Sequence, residues 1–381
     1  MLEGAHGNAV RKSMEILVAL GEIYGAKRLI PVKSVQISGV SYDNLGDAGL
    51  EFLAEMAKDG KVRVKTTLNP AGMDTENWRA LGIDPAFARK QDLVLKAFEK
   101  MGVDLTCTCT PYFIGNRPGK DQHVAWGESS AVTFANSVLG AKTNKEGGPS
   151  TIASALTGRT PEYGLHLDEN RQAHFIVKVS AVIDSQMLFG ALGHAIGKRA
   201  DGKIPLIRGI KSATEDQLKS LSASIVTYGG APMFHVDGIT TNQTAVPDQE
   251  FEITQKDIDD SIKYMNDGSE PDFIFIGCPH CSLDEIKTIA EILDGKSVRR
   301  ELWIGVARPI KKAADELGYS GKIEASGAKF ACDTCHVVAP LAGRFSCIAT
   351  DSAKGIFYGR GKNKFRTVFR DMRSCLEMAV K

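Results

Sequence analysis

The sequence has no run of 18 or more apolar residues, which excludes an ordinary membrane-spanning helix. Neither charge is in excess, because 47 lysine and arginine residues stand against 46 aspartate and glutamate residues, for a net charge of +1. This balance gives no electrostatic reason to expect a nucleic acid or an anionic membrane as partner. We therefore expect neither partner for this chain.

The first residues lack the basic and apolar segments of a secretory signal peptide, and the chain has no internal repeat or low-complexity tract. A cytoplasmic location is therefore expected. In that compartment the eight cysteines are better explained as thiols or metal ligands than as disulfides. The composition, 43% hydrophobic and 24% charged, is that of a globular protein, and 381 residues are too many for one hydrophobic core.

Strand and helix patterns alternate along most of the chain, which predicts an α/β fold with doubly wound parallel sheets. Helices are predicted near 8–24, 47–58, 84–101, 185–197, 213–225, 254–266, 282–294 and 307–317. Strands are predicted near 29–38, 61–66, 103–107, 175–180, 230–236, 272–277, 302–306 and 346–349. The segment 111–171 interrupts this alternation and is rich in small and polar residues, as functional loops are. A boundary near 200–209 predicts two regions, 1–200 and 201–381.

One short segment, 273–285, combines the signals of a buried strand, a loop and a helix start. Four apolar residues followed by Gly277 predict a strand that ends abruptly. Ser282 and Glu285 form a capping box, which predicts a helix through Leu293. Cys278 is therefore expected in a loop at the carboxyl end of a strand, where open α/β sheets present ligand-binding groups.

The remaining cysteines extend this pattern, because three pairs each follow a predicted strand: Cys107 and Cys109, Cys278 and Cys281, and Cys332 and Cys335. The two Cys-x-x-Cys pairs would suit structural zinc, and such a pair at a helix start would suit a redox dithiol. The wide separation of the pairs favours an iron–sulfur cluster held by one thiolate from each loop, with one iron open to substrate. Spacing alone leaves all three interpretations open. Cys347 and Cys375 lie in apolar sequence and are expected in the core.

Nine motifs, distributed over nearly the whole chain, make it resemble the aconitase X family: Gly39–Ser41, Thr66–Pro70, Cys109–Tyr112, Ala125–Ala131, Ala135–Ala141, Gly158–His166, Gly277–His280, Asp333–Cys335 and Ser352–Lys354. The resemblance implies a multi-domain aconitase-like fold with parallel sheets around a central iron–sulfur site. It also implies a hydro-lyase with a 4Fe-4S cluster whose protein ligands are Cys109, Cys278 and Cys335. Their neighbours Cys107, Cys281 and Cys332 are then expected to be packing residues.

The same resemblance implies a set of substrate-binding residues: Gly39, Val40, Ser41, Asn69, Pro70, Glu128, Ser129 and Lys354. Glu128, Ser129 and Lys354 are also the catalytic candidates. Lys354 suits an anion contact, and the backbone N–H groups of 39–41 suit phosphate or carboxylate oxygens. Glu128 suits either a proton relay to the departing water or a structural position at a helix start. His280 is a candidate neighbour of the metal ligands.

Within this family, the archaeal branch dehydrates (R)-5-phosphomevalonate to trans-anhydromevalonate 5-phosphate in isoprenoid biosynthesis by the mevalonate pathway, and the resemblance implies this activity here. It further implies a heterodimer, because the swivelling domain, with a catalytic serine, is expected on a separate small subunit. The alternatives are dehydration of cis-3-hydroxy-L-proline and a non-catalytic scaffold stabilised by zinc. Two positions depart from the family pattern: Asp351 stands where asparagine is expected, and His336 where an apolar residue is expected.

Overall fold

The structure is a computed structural model that describes residues 1–240, 244–268 and 270–380. Its helices are α1 (Asn8–Ile23), α2 (Tyr42–Met56), α3 (Pro85–Lys100), α4 (Ser129–Phe134), α5 (Gly148–Thr157), α6 (Gln186–Ala200), α7 (Glu215–Gly229), α8 (Gln255–Tyr264), α9 (Leu283–Leu293), α10 (Arg308–Glu316), α11 (Tyr319–Ala325), α12 (Ala353–Gly361) and α13 (Met372–Val380). Its strands are β1 (Leu29–Pro31), β2 (Ser34–Ile37), β3 (Lys65–Leu68), β4 (Ala125–Trp126), β5 (Arg159–Pro161), β6 (Phe175–Val179), β7 (Pro205–Arg208), β8 (His235–Val236), β9 (Glu250–Ile253), β10 (Phe273–Cys281), β11 (Glu301–Val306), β12 (Lys329–Cys332), β13 (Cys347–Thr350) and β14 (Arg366–Phe369).

Three parallel sheets organise these elements, in the orders β3-β2-β4, β8-β7-β6-β9 and β12-β11-β10-β13-β14. A short antiparallel pair, β1 with β5, lies beside the first. The buried strands are rich in branched apolar residues, as strands covered on both faces are. The predicted α/β class with parallel sheets is therefore confirmed.

The strand orders of the first and third sheets place the functional loops at switch points, where the strand order reverses. In the first sheet the order reverses between β2 and β4, and in the third between β10 and β13. Such switch points open a crevice outside the carboxyl ends of the strands, where α/β proteins bind ligands. Gly39 follows β2, Glu128 follows β4, and Ser352 follows β13. The loops singled out in the sequence thus lie at crevice positions.

The structure corrects several predicted elements. The strand expected at 103–107 is reduced to one isolated bridge between Thr67 and Asp104, and Cys107 at its end adopts a positive φ of 41°, outside the extended region. The strand expected at 29–38 is divided into β1 and β2, and the one at 61–66 begins later, as β3. Strands β7, β9 and β14 and helices α12 and α13 were not predicted, being short and weakly patterned.

The sheet β8-β7-β6-β9 takes strands from both sides of residue 200. The division into regions 1–200 and 201–381 stays a prediction. No helix in the described ranges is long and apolar enough to cross a membrane.

Candidate active site

The segment that carries Cys278 folds as its sequence indicates, with one difference. Ser282 accepts a hydrogen bond from the backbone of Glu285, and the Glu285 carboxylate accepts one from the Ser282 N–H at 2.7 Å, so the capping box starts α9. Strand β10 continues to Cys281, but its register against β11 shifts between Ile276 and Cys281. The irregular part directs Cys278 away from the ladder.

Exposure separates the two members of each cysteine pair. The relative exposure is 7% for Cys109, 8% for Cys278 and 6% for Cys335, but 0% for Cys107, 0% for Cys281 and 2% for Cys332. The packing members belong to apolar clusters with side chains of the surrounding strands and helices. The predicted ligands are thus buried as well, but each is slightly more exposed than its neighbour in the pair.

The charged and ionisable groups near each thiol divide the cysteine pairs in the same way. Burial raises the pKa of Cys278 to about 12; the Lys354 ammonium opposes this rise and the Cys335 thiol adds to it. Burial likewise raises the pKa of Cys109, which Lys354 lowers and Glu128 and Cys335 raise further. For Cys335, burial also raises the pKa, and Lys354 lowers it. Cys335 therefore interacts with both Cys109 and Cys278, and all three thiols share Lys354 as a nearby cation.

The other three thiols have different neighbours. Cys107 and Cys332 interact with Asp333 and Arg308, while Cys281 interacts with Glu285 and Lys219. Within the described ranges, all eight cysteines are free thiols. The structure therefore brings together one cysteine from each loop and keeps its sequence neighbour apart.

Each of the three clustered sulfurs has a hydrogen-bond donor. The backbone N–H of His280 donates to Cys109 Sγ at 3.2 Å. The Ser352 hydroxyl donates to Cys278, and backbone N–H groups of 337–338 donate to Cys335. Such donors stabilise thiolates, the form in which cysteine binds metal. The donor set therefore suits thiolate ligands.

Among the described residues, no group of three or more His, Cys, Asp or Glu side chains is arranged around a single metal ion. In a cluster each thiolate binds a different iron, so the sulfurs need not converge on one atom. The iron–sulfur cluster therefore stays a prediction at this point.

A buried ion pair faces the thiols. The Lys354 ammonium contacts the Glu128 carboxylate directly and the Ser130 hydroxyl at 3.1 Å. The amide of Asn69 donates to the other Glu128 oxygen at 3.3 Å. Burial raises the pKa of Glu128, but Lys354 and the hydrogen bonds outweigh it, so the pKa lies below its ordinary value. Both partners are therefore charged at neutral pH.

Glu128 also accepts a hydrogen bond from the backbone N–H of Ser130 at 3.2 Å and so caps α4. Glu128 therefore occupies the structural position at a helix start, and its role as a proton relay stays a prediction. The half-buried Ser129 begins α4. Sequence reasoning named Ser129, whereas the hydroxyl that contacts Lys354 and Glu128 belongs to Ser130. The direction of adjacent side chains is not readable from a Ser-Ser pair.

The loops after β2 and β3 form the next part of the site. Gly39 has a φ of 76° with open space where a side chain would be, so its backbone is accessible. The carbonyl of Val40 accepts from Gln91 at 3.0 Å. Ser41 donates to the Val338 carbonyl at 3.0 Å, which attaches this loop to the one that carries Cys335.

The second loop contains Asn69 and Pro70, both buried. The Asn69 side-chain oxygen is buried without a hydrogen-bond partner among the described residues. A buried acceptor of this kind costs free energy unless something pairs with it. The backbone N–H of Ala71 donates to the Asp333 carbonyl at 2.8 Å, so this loop also meets the Cys335 loop. The unpaired oxygen is a candidate substrate contact.

The fold and site together define a multi-domain α/β enzyme of the aconitase-like class. Family models for the first, second and third domains of aconitase X match residues 1–169, 173–263 and 271–381. The chain belongs to the aconitase X family. A solved structure, the holo form of Thermococcus kodakaraensis aconitase X, matches with a TM-score of 0.93 and 44% identity, covering 99% of this chain and 97% of that one.

Curated relatives extend the comparison. The phosphomevalonate dehydratase large subunits of Methanocaldococcus jannaschii and Thermococcus kodakarensis are 45% and 47% identical, over 99% and 94% of this chain and 97% and 93% of theirs. The cis-3-hydroxy-L-proline dehydratase of Pseudomonas aeruginosa is 33% identical over 100% of this chain and 68% of its own length. Both kinds of relative are dehydratases, and this chain is a hydro-lyase.

Proposed function

We propose that this chain is the large subunit of a dehydratase that converts (R)-5-phosphomevalonate to trans-anhydromevalonate 5-phosphate, with a 4Fe-4S cluster held by Cys109, Cys278 and Cys335. The observation that carries the proposal is the division of the cysteine pairs. One thiol of each pair faces Lys354 and Glu128 and has its own hydrogen-bond donor, and its neighbour packs elsewhere.

When bound, a cluster with three thiolate ligands has one iron without a protein ligand, which supplies Lewis acidity toward a substrate hydroxyl. The chain's own residues provide charge and orientation. Lys354 is a buried ammonium, and burial strengthens its attraction for a substrate carboxylate. Glu128 fixes the position of that ammonium and is ionised at neutral pH, so with Ser130 it can relay a proton to the departing water only after accepting one.

The phosphate is assigned to the loop 39–41, whose backbone N–H groups lie at a switch point of the first sheet. The unpaired oxygen of Asn69 is assigned to a substrate hydroxyl, which can donate to it. The Pro70 ring closes the wall of that loop. Ser129 stays in the proposal as a predicted substrate contact.

Two observations favour phosphomevalonate over hydroxyproline as substrate. Identity to relatives named phosphomevalonate dehydratase large subunit is 37–47%, against 33–35% for those named cis-3-hydroxy-L-proline dehydratase. The match extends over 92–97% of these large subunits but only 67–68% of the hydroxyproline enzymes. Dehydration of cis-3-hydroxy-L-proline is the second candidate.

The relatives' designation as large subunits supports a partner for this chain. We assign the swivelling domain and the serine that removes the carbon-bound proton to a separate small subunit. A cytoplasmic location fits the free thiols found in the described ranges, because buried thiols persist in a reducing compartment.

The cofactor assignment is tested by six matched substitutions after anaerobic reconstitution with iron and sulfide. Serine at position 109, 278 or 335 should reduce bound iron and acid-labile sulfide severely. Serine at position 107, 281 or 332 should leave both close to the wild-type level, because these thiols face other neighbours. Equal losses within each pair, or zinc at one per chain, would contradict the cluster.

The activity is tested by assaying the reconstituted chain on both substrates, with and without the small subunit. We expect loss of water from (R)-5-phosphomevalonate only when the small subunit is present. Full activity of the large chain alone would refute the two-subunit arrangement, and turnover of hydroxyproline alone would refute the substrate.

A further inference from the structure

His280 contacts all three cysteine loops at once. It lies two positions after Cys278, within β10, and is fully buried. Its backbone N–H donates to Cys109 Sγ at 3.2 Å, and its ring Nδ1 lies 3.0 Å from the hydroxyl of Thr108. Its ring Nε2 lies 2.9 Å from the carbonyl of Thr334, the residue before Cys335. One side chain therefore joins segments that are far apart in the sequence.

The hydrogen-bond partners show which ring nitrogen of His280 carries the hydrogen. A carbonyl oxygen only accepts, so Nε2 must carry the hydrogen that bonds to Thr334. In the neutral ring Nδ1 is then an acceptor, and the Thr108 hydroxyl donates to it. That hydroxyl in turn accepts from the Thr110 N–H at 3.2 Å, so every partner has one consistent role.

Thr108 is itself fixed to the first sheet. Its backbone N–H donates to the Leu68 carbonyl at 2.9 Å, and its carbonyl accepts from the Gln36 amide at 3.0 Å. Leu68 ends β3 and Gln36 lies in β2, whereas His280 and Thr334 belong to the third sheet and its loops. The contact at Nδ1 therefore connects the first sheet to the third.

We propose that His280 is a positioning residue that holds the loops of Cys109 and Cys335 in fixed register with Cys278. Groups around metal ligands orient them in this way, and the spacing of three ligands on separate loops has to be set by some connection between the loops. The proposal makes no use of His280 as a ligand, acid or base. The expected effect of His280 on iron retention rests on the function proposed above, whereas its expected effect on the arrangement of the loops does not.

Two isosteric substitutions separate the two ring contacts. In His280→Asn, the side-chain oxygen takes the position of Nδ1 and keeps the contact with Thr108, while the contact with Thr334 is lost. In His280→Gln, the amide nitrogen takes the position of Nε2 and keeps the contact with Thr334, while the contact with Thr108 is lost. The backbone donor to Cys109 is present in both.

The first measurement uses the full chain without iron, alkylated under native conditions and analysed by mass spectrometry. We expect His280→Asn to raise the alkylation rate of Cys335, and His280→Gln that of Cys109, each at least about threefold, as loss of a buried hydrogen bond allows. Cys375, fully buried in another cluster, reports global unfolding and should not change. His235→Gln is the matched control, because that buried ring also contacts a carbonyl, of Arg171, at 2.9 Å.

The proposal is overturned if neither Cys109 nor Cys335 reacts faster than in His235→Gln, or if Cys375 accelerates equally. Should a His280 variant fail to fold, Thr108→Val removes the same contact from the other side and should accelerate Cys109 selectively. The second measurement is the rate at which a chelator removes iron from the reconstituted protein, expected to rise about tenfold in both His280 variants. If the wild-type chain takes up no iron, the proposed function is refuted. The alkylation rates then remain as the test of whether His280 positions the loops.

Discussion

At Glu128 two effects of opposite sign act on one carboxyl group. Burial disfavours its charge, and the adjacent Lys354 ammonium favours it more strongly, so its pKa is lowered. A lowered pKa means that the pair stabilises the fold above the unfolded pKa near 4.5, and that this stability is lost as pH falls through the folded value. The site therefore keeps its charges only while both partners are present.

We predict that Lys354→Met destabilises the chain more than the loss of one contact would suggest. The substitution leaves Glu128 buried and unpaired, which costs about 3–5 kcal/mol for a pair of this kind. The double variant Lys354→Met, Glu128→Gln also removes the unpaired charge and should recover part of the lost free energy of unfolding. Urea unfolding of the apo chain at pH 7 measures both. Equal stability of the single and double variants would contradict the explanation.

Asp351 predicts a pH dependence of the opposite sign. Burial, together with the nearby Glu285 carboxylate, raises the pKa of Asp351 from 3.8 to about 7. A raised carboxyl pKa means that the native state binds more protons than the unfolded state between these values, so stability falls as pH rises from about 4 to about 7. The penalty above pH 7 is on the order of 4 kcal/mol at most.

Asp351→Asn should therefore stabilise the chain at pH 8 and leave it almost unchanged at pH 4, as urea unfolding at the two pH values would measure. Asp257→Asn is a control with the opposite expectation. The Asp257 carboxylate accepts hydrogen bonds from the hydroxyl and the backbone N–H of Thr254, and these bonds lower its pKa, so its replacement should destabilise at pH 8. If the stability of both variants changes in the same way between the two pH values, the raised pKa of Asp351 is refuted.

At the scale of elements, β10 and β11 approach each other closely beside Cys278. Gly277 has a φ of 108°, and a side chain there would put its Cβ 2.2 Å from the Gly305 carbonyl oxygen. The strand can therefore turn toward the site only with glycine at this position. The cysteine loop depends on that turn.

We predict that Gly277→Ala lowers the free energy of unfolding by at least about 2 kcal/mol and reduces iron uptake, because backbone atoms have to move. Gly295→Ala is the control, since Gly295 also has a positive φ, 69°, but open space around it. Thermal unfolding and iron content of both variants measure the effect. A Gly277 variant no worse than the Gly295 variant would show that the close approach is not required.

The sequence predicts elements where one signal dominates. The apolar run before Gly277 and the capping box at Ser282 placed the start of β10 and helix α9 correctly, because burial and capping are local, but β10 continues through Cys278, which was expected in a loop. The motif resemblance named one cysteine from each pair, and the structure gathers those thiols. Local pattern could not anticipate the positive φ at Cys107, nor that Ser130 is the hydroxyl that contacts Lys354. The His280 contacts were also unreadable, since their partners lie 172 and 54 residues away.

At the scale of the whole molecule, ion pairs with buried members connect loops and helices of different sheets beside the site. Arg308, at the start of α10, pairs with Asp74 at 2.9 Å and with Asp333, and so ties the loop after β3 to the loop after β12. Lys219 on α7 pairs with Glu285 on α9, and its ammonium lies 3.4 Å from the His280 carbonyl. The second sheet's helices are thereby attached to the segment that carries Cys278 and His280.

The last prediction concerns this junction. Lys219→Met leaves Glu285 buried and without its ammonium partner, so we expect a loss of about 3–5 kcal/mol in the free energy of unfolding. Because Lys219 supports the His280 segment from behind, the same variant should release iron faster after reconstitution. Lys256→Met removes an exposed ion pair with Asp260 on α8 and should change neither quantity appreciably. If Lys219→Met unfolds at the wild-type denaturant concentration and retains iron, the junction does not support the site, and the loops of the third sheet hold their arrangement without the second.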